Sequence, residues 1–335
     1  MLGGNHLHMG LTYAASLLSF AVDGTPRPFS AAFNVTDRCN LRCTYCDFSA
    51  FAGAELTLAQ IEALFGRLYT MGVRRLGIVG GEPLVRKDIG AIVRMARQRR
   101  FFISVSTNLT LYHRVPGALD PADLIFTSLD GDRALHERHR GPASYDGVID
   151  AIRALTGAGK SVVGICVVRH GDLEQARALI ERARGLRMRM HFQPQCLDSL
   201  ITRGTLPADA DQDSLRRFWL ELVCMKEAGL PIASSLDYLR AQAQWPDFRV
   251  SAFRDPTTRC AAGRGFLFVD PLGNASPCTF TRGRTAAVNL LSADWSHDWD
   301  RTTACTRCNV GPMLEFDLLY KHPVRAVVNA IRSYG

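Results

Sequence analysis

The chain reads as an α/β protein: a partial (β/α)6 TIM-like barrel followed by a small C-terminal cysteine-rich α+β domain. Three observations predict this. Strand-like and helix-like segments alternate from about residue 31 to about residue 200. Ten cysteines occur in 335 residues, and seven of them sit in metal-type spacings. Composition shifts near Pro246 toward Gly, Pro, Thr and Cys. The length suffices for a large α/β domain plus an appendix, and a hydrophobic fraction of 47% allows a sizeable core. The sequence holds no internal repeat and no low-complexity tract.

Strands are expected at Ala31–Thr36, Arg75–Val79, Phe101–Ser106, Leu124–Ser128, Ser161–Val168 and Met188–Gln193. Most are apolar and rich in β-branched or aromatic residues, the pattern of buried parallel strands. Helices are expected between them at Thr57–Met71, Lys87–Gln98, Tyr145–Gly157 and Leu173–Arg184, with Thr57 placed to cap the first. Six such units fit an open barrel, in which chemistry sits at the C-terminal ends of the strands. A helical stretch follows at Asp211–Glu227, and a short strand is expected at Phe266–Val269. The expected organisation is an N-terminal helical extension over 1–30, the partial barrel over 31–200, a helical linker over 201–250 and the cysteine-rich domain over 251–335.

Formal net charge is +8, with Lys and Arg dispersed rather than clustered, which argues against nucleic-acid binding. Arg97–Arg100 reads as a solvated helix end. Leu11–Val22 is mostly apolar, but it lacks a basic flank and is too short to span a bilayer. It is read as a packing segment, with a membrane-surface helix as the weaker alternative. Cysteines in metal spacings, rather than a disulfide framework, point to a reducing cytoplasm.

The segment Val35-Thr-Asp-Arg-Cys39-Asn-Leu-Arg-Cys43-Thr-Tyr-Cys46 directly follows the first strand. Three thiolates at C-x3-C-x2-C spacing can hold three irons of a 4Fe–4S cubane, leaving the fourth iron open to a small molecule. Structural zinc usually takes four protein ligands, and no fourth Cys or His lies close by. Gly80-Gly81-Glu82-Pro83 follows the second strand, Ser106-Thr107-Asn108 ends the third, and Ser128-Leu129-Asp130-Gly131 ends the fourth, ahead of His136-Glu-Arg-His-Arg140-Gly141.

This set of motifs, in this order, resembles the radical S-adenosylmethionine (SAM) superfamily. The resemblance implies that Cys39, Cys43 and Cys46 carry a 4Fe–4S cluster. That cluster passes one electron to SAM, giving methionine and a 5′-deoxyadenosyl radical that abstracts hydrogen from substrate. It assigns Gly80, Gly81, Glu82 and Pro83 to the SAM amino group, and Ser106 and Asn108 to its ribose and carboxylate. Tyr45 resembles the aromatic residue near adenine. Ser128, Asp130 and Arg140 match the SLDG…H-x3-RG pattern, with Arg140 as a guanidinium for the SAM carboxylate. His136 and His139 read more simply as a solvated helix face. An external one-electron donor such as flavodoxin or ferredoxin is implied as a partner.

Cys260 and Cys278 stand at C-x12-G-x4-C spacing around a turn at Asp270–Gly273, and Cys305-Thr-Arg-Cys308 follows later. The turn predicts a hairpin with a ligand at each end. Four thiolates fit either a zinc ion or a 4Fe–4S cluster by spacing alone. Resemblance to twitch and SPASM domains favours an auxiliary 4Fe–4S cluster, and no cysteine after Cys308 makes the shorter twitch type the better match. A fully ligated cluster leaves no iron open for substrate, so an electron-accepting role in a net oxidation is expected. The spacing also resembles the twitch-bearing alcohol dehydrogenase of aminoglycoside biosynthesis.

Cys166 and Cys224 read as core. Cys196, Gln193 and Gln195, near the end of the sixth strand, are candidates for substrate contact. The expected activity is oxidation of a small metabolite. The alternatives are maturation of a ribosomal peptide, modification of a lipid and a non-catalytic iron–sulfur electron carrier. The segment before the first strand looks short for a leader-recognition module, which counts against the peptide.

Overall fold

The computed structural model describes residues 28–51, 53–197, 211–255, 260–283, 287–292 and 305–321. The expected segment Leu11–Val22 lies outside them, as do residues 198–200 of the expected barrel and 201–210 of the expected linker.

Six parallel strands form the expected run in sequence order: β1 (Ser30–Asn34), β2 (Arg75–Val79), β3 (Phe102–Thr107), β4 (Leu124–Ser128), β5 (Ser161–Val168) and β6 (Arg189–Pro194). Each crossover carries helix: α1 (Leu58–Thr70), α2 (Ile89–Gln98), the pair α3 (Arg133–Arg140) and α4 (Ser144–Gly157), and α5 (Leu173–Gly185). The 3–4 connection is the exception, carrying only a short 3₁₀ turn at Tyr112–Arg114. Thr57 caps α1 as expected. Its hydroxyl accepts from Gln60 N, and the Gln60 side chain accepts from Thr57 N, a reciprocal capping box.

Strand alternation separates two faces. On β6, Met190, Phe192 and Pro194 are buried while Arg189, His191 and Gln193 are half-exposed. Met190 and Phe192 join the main core with Ile61, Leu64 and Phe65 of α1 and Ile149 and Ile152 of α4. On another face Phe102, Leu124 and Val163 form a small separate cluster with Phe126.

Two helices follow, α6 (Gln212–Glu227) and α7 (Leu236–Ala243). The segment expected as a linker packs as part of the main core: Phe218, Trp219, Leu222 and Tyr238 are fully buried in it. It also pairs with the outer strand, since Met190 N donates to Pro231 O (2.8 Å) and Ala233 N to Met190 O (2.7 Å). Cys224, expected in the core, is exposed. It falls off the stripe made by Leu215, Phe218, Trp219 and Leu222, because residues there recur at helical spacing.

The cysteine-rich region adds β7 (Ala252–Phe253), β8 (Phe266–Val269), β9 (Asn274–Ser276), β10 (Val288–Asn289), β11 (Arg307–Cys308) and α8 (Gly311–Lys321). The expected hairpin is present: β8 and β9 pair antiparallel, and Asp270 accepts the amides of Leu272 and Asn274 across the turn. Gly273 takes φ +85° there, a conformation open to glycine. The hairpin continues the barrel sheet. β8 runs parallel to β1, Ser30 opposite Phe266 through Phe33 opposite Val269, giving nine strands in the order 10-9-8-1-2-3-4-5-6. At the other edge α8 meets β6 so closely that a Cβ on Gly311 would lie 2.8 Å from Gln193 Oε1. The C-terminal region therefore touches both edges of the open barrel.

Candidate functional site

The loop carrying Cys39, Cys43 and Cys46 leaves the end of β1 and is fastened by the ends of the next three strands. From the β2 end, Gly81 N donates to Thr36 O (2.8 Å) and Glu82 N to Arg38 O (2.9 Å). The two glycines are required by this packing. A Cβ on Gly80 would lie 2.6 Å from Thr36 O, and one on Gly81 would lie 2.5 Å from Arg38 O. The backbone of these glycines closely approaches the cysteine loop. Glu82 is fully buried. Its carboxylate accepts from Leu84 N (2.9 Å), Thr107 Oγ1 (2.6 Å) and Asn108 N (2.6 Å), tying the β2 end to the β3 end. Burial pushes its pKa up to about 7. Pro83 opens the 3₁₀ turn Pro83–Val85 and is buried.

From the β3 end, Asn108 Nδ2 donates to Asn40 Oδ1 (3.0 Å), and Asn40 Nδ2 donates to Thr110 Oγ1 (2.8 Å). Leu109 adopts φ +59° between them, a left-handed position unusual for leucine. Ser106 is half-buried on β3. From the β4 side, Asp130 is the hub. Tyr45 OH donates to its Oδ2 (2.7 Å), Arg140 Nε donates to Oδ2 (2.7 Å), Arg140 Nη2 donates to Oδ1 (3.2 Å) and Val167 N donates to Oδ1 (3.2 Å). The adjacent Arg140 charge and these donors hold the Asp130 pKa down against the opposing effect of burial. Arg140 also reaches Cys43 Sγ, with Nη1 at 4.0 Å. Thr44 N donates to His139 O (2.9 Å). Tyr45 therefore spends its hydroxyl on Asp130, its ring is buried, and Arg140 is forked onto Asp130. Ser128, at the end of β4, is half-buried.

His136, expected on a solvated face, is instead fully buried, with its Nδ1 3.4 Å from Asp130 N. Burial lowers its pKa to about 4. The strongly charged sequence of α3 conceals that this helix turns His136 and Arg140 inward, and the signal lies in the partner Asp130 rather than in the helix. Arg97, expected as a solvated end, donates to Asp123 Oδ1 (2.6 Å) and to Pro121 O. Gln195 is buried and accepts from Arg169 Nε (2.8 Å), while Gln193 and Cys196 are half-buried.

All three thiols of the first loop are half-buried, and Arg38, Asn40, Arg42 and Thr44 between and beside them are exposed. Burial is the main cause that pushes Cys39 up to about 11, with smaller contributions from the charges of Glu82, Cys43 and Cys46, so the three sulfurs are electrostatic neighbours. In the second set Cys278 is buried, and Cys260 and Cys308 pack against its apolar cluster of Phe266, Phe268, Met313 and Phe316. Burial pushes Cys260 up to about 12, with added contributions from Cys278 and Cys305. Cys308 is raised by burial and by the other three. Spread over sequence from Cys260 to Cys308, the four thiols thus lie within electrostatic reach of one another. Among the described residues no three His, Cys, Asp or Glu side chains are spaced to hold a single metal ion.

The donor chemistry fits iron–sulfur clusters at both places. Thiols that burial makes reluctant to ionise gain their charge most readily when a metal takes the proton's place. Backbone amides already aim at sulfur, Leu41 N at Cys39 Sγ and Ala262 N at Cys260 Sγ, each 3.4 Å. Such hydrogen bonds are among the groups that tune cluster potentials.

Fold and site together define a partial-barrel protein with a three-cysteine loop at its active end and a cysteine-rich extension. Residues 33–183 match the radical SAM superfamily. That match spans a little under half of the chain, which carries the radical SAM domain there, and the C-terminal cysteine-rich region fits a twitch/SPASM domain. It is 27% identical over 280 residues to a mycofactocin maturase, MftC, of Mycobacterium ulcerans, covering 80% of this chain and 73% of the relative. It is 25% identical over 292 residues to an AdoMet-dependent heme synthase of Methanosarcina barkeri, covering 82% and 83%. The fold is similar to that of SuiB from Streptococcus suis bound to S-adenosylmethionine, with a TM-score of 0.66 at 16% identity over 84% of this chain and 68% of that one. No helix among the described residues is long and apolar enough to cross a membrane.

Proposed function

We propose that this radical SAM enzyme holds a 4Fe–4S cluster on Cys39, Cys43 and Cys46 and an auxiliary 4Fe–4S cluster on Cys260, Cys278, Cys305 and Cys308, and that it oxidises its substrate. When bound, the first cluster and SAM would supply the 5′-deoxyadenosyl radical that removes a substrate hydrogen, and the second would accept the electron released by oxidation. The observation that carries this reading is the contrast between the sites: three neighbouring thiols on a partly exposed loop, and a second set in which Cys260, Cys278 and Cys308 pack in an apolar cluster.

The chain's own residues divide the work of binding SAM. Glu82, Asp130, Arg140 and Tyr45 are engaged with one another or with backbone, so their task is to hold the strand ends and the cysteine loop in register. The backbone of Gly80, Gly81 and Pro83, with Ser106, Asn108 and Ser128, lies along those strand ends and would contact SAM itself. Gln193, half-buried beside α8 at the end of β6, offers the substrate wall, and Cys196 lies just beyond it.

A small metabolite is the first reading of the substrate, supported by the heme synthase likeness over most of both chains. A peptide is the second, favoured by the maturase likeness and by the fold shared with SuiB, which has also been solved bound to precursor peptide SuiA. An acidic flavodoxin or ferredoxin in the cytoplasm would suit the exposed Arg42 beside the first thiols as electron donor. The test is anaerobic turnover with reductant, SAM and deuterated candidates of both classes. Deuterium in 5′-deoxyadenosine from a metabolite supports the first reading, and deuterium from a peptide alone replaces it with the second. A reduced, cluster-loaded protein that leaves SAM intact is an electron carrier, and the proposal fails.

A further inference from the structure

An ion pair joins the two cysteine regions at the point where each turns toward its thiols. Asp37 stands two residues before Cys39, and Arg282 four residues after Cys278. Arg282 Nη1 donates to Asp37 Oδ1 and Nη2 to Oδ2, each at 2.7 Å, a two-pronged contact across 245 residues of sequence. Asn34 Nδ2, from the last residue of β1, donates to the same Oδ1 at 2.6 Å. Asp37 is buried, and Arg282 is 18% exposed. Such a fork fixes angle as well as distance, which a lysine or an apolar contact would not.

The pair is not needed to attach the two regions. The β1–β8 pairing and the bond from Leu56 N to Pro271 O (2.9 Å) already do that. Its placement is what distinguishes it. On one side, Asp37 O and Arg38 O fill the space beside Gly81, so a shift of Asp37 displaces both the cysteine loop and the Gly80-Gly81 turn. On the other, Arg282 closes the 3₁₀ turn Thr279–Thr281, whose Thr281 Oγ1 accepts from Cys278 N (3.2 Å).

We infer that Asp37 and Arg282 are positioning residues that set the first cysteine loop from the second cysteine region, so that the geometry of the SAM-binding end depends on the C-terminal region. This rests on the reading that both cysteine sets hold clusters. The test compares Arg282→Ala, Arg282→Lys and Asp37→Asn with the wild type in three measurements: iron per chain, SAM binding together with the electron paramagnetic resonance spectrum of the reduced protein, and peptide-resolved alkylation of the metal-free chain. We expect Arg282→Ala to keep its second cluster, to bind SAM about tenfold more weakly, as loss of an outer-shell partner does, and to broaden the first cluster's signal. Cys39 and Cys43 should alkylate faster in the metal-free variant, with Cys224 unchanged as the exposed reference. Arg282→Lys, which keeps the charge but loses the fork, should fall between, and it decides the matter if Arg282→Ala does not fold. A variant that is merely less heat-stable, with SAM affinity, spectrum and alkylation like wild type, overturns the inference. A wild type without a first cluster sinks the functional reading instead, and the alkylation result then still decides this one.

Discussion

The two cysteine regions are built on opposite principles. The first is a loop held almost wholly by polar contacts: two backbone bonds from the β2 end, the Asn40–Asn108–Thr110 chain from β3, and Tyr45 and Arg140 through Asp130 from β4. Its thiols stay half-buried. The second is held by apolar packing around Phe266, Phe268, Met313 and Phe316, on strands of two to four residues. Polar latches fix a loop in position without covering it, because hydrogen bonds are directional and need little bulk. Apolar packing excludes water and closes the site over its contents. A loop held in place without cover and a site partly enclosed by apolar side chains, with Cys278 buried and Cys260, Cys305 and Cys308 half-buried, follow from these two modes of support.

The largest expected effect comes from removing a thiol. Cys43→Ala should lose the first cluster, about half of roughly eight irons, and all SAM cleavage. Cys305→Ala should lose only the other half and leave some SAM cleavage. Iron analysis with product assay checks this, and equal loss in both variants would break the comparison.

Next comes the polar hub. Asp130→Asn leaves the Arg140 guanidinium buried without its counter-charge, which should destabilise the fold by about 3 kcal/mol or more in denaturant unfolding. Side-chain exposures of 1% and 8% place this pair out of solvent screening. No single polar truncation in the second region should match it.

The pH profile sharpens the account of β6. Burial holds His191 down to about 4 against an ordinary value of 6.5. A depressed histidine stays neutral in the folded state while the unfolded chain takes up the proton. Stability is therefore full above about pH 6.5 and is lost as pH falls toward 4, by up to about 3 kcal/mol for this group. His191→Asn, keeping an acceptor toward Ser234, should flatten part of that slope in unfolding measured from pH 4 to 7. His136, depressed in the same direction, should keep the remainder.

The smallest effect separates two glycines. Gly81→Ala places a methyl against backbone and should cost about 1–3 kcal/mol, with weaker SAM binding. Gly273→Ala strains a positive-φ turn for about 1 kcal/mol and should leave SAM binding alone. Calorimetry of both variants tests the pair.

Much of the barrel was legible in sequence because its determinants are local. The bounds of β2, β4, β5 and β8 coincide with the expected apolar runs, and Thr57 announces the start of α1 through its own neighbours. The two cysteine groupings stand out in sequence by spacing alone. What escaped was set by partners far away in sequence. Asp37 and Arg282 carry no shared pattern, and nothing in Phe266–Val269 says that it will extend the barrel beside β1. The partner of Tyr45 and Arg140 was hidden in the same way: both meet on Asp130, 85 and 10 residues away in sequence.

The central claim is an open cluster that cleaves SAM beside a closed one that does not. Anaerobically reconstituted protein, assayed for iron and for 5′-deoxyadenosine after reduction with SAM, tests it most directly. The account predicts roughly eight irons per chain, the content of two 4Fe–4S clusters, and release of 5′-deoxyadenosine that depends on Cys39, Cys43 and Cys46. Four irons with zinc at the second site, or eight irons with SAM left intact, would contradict it.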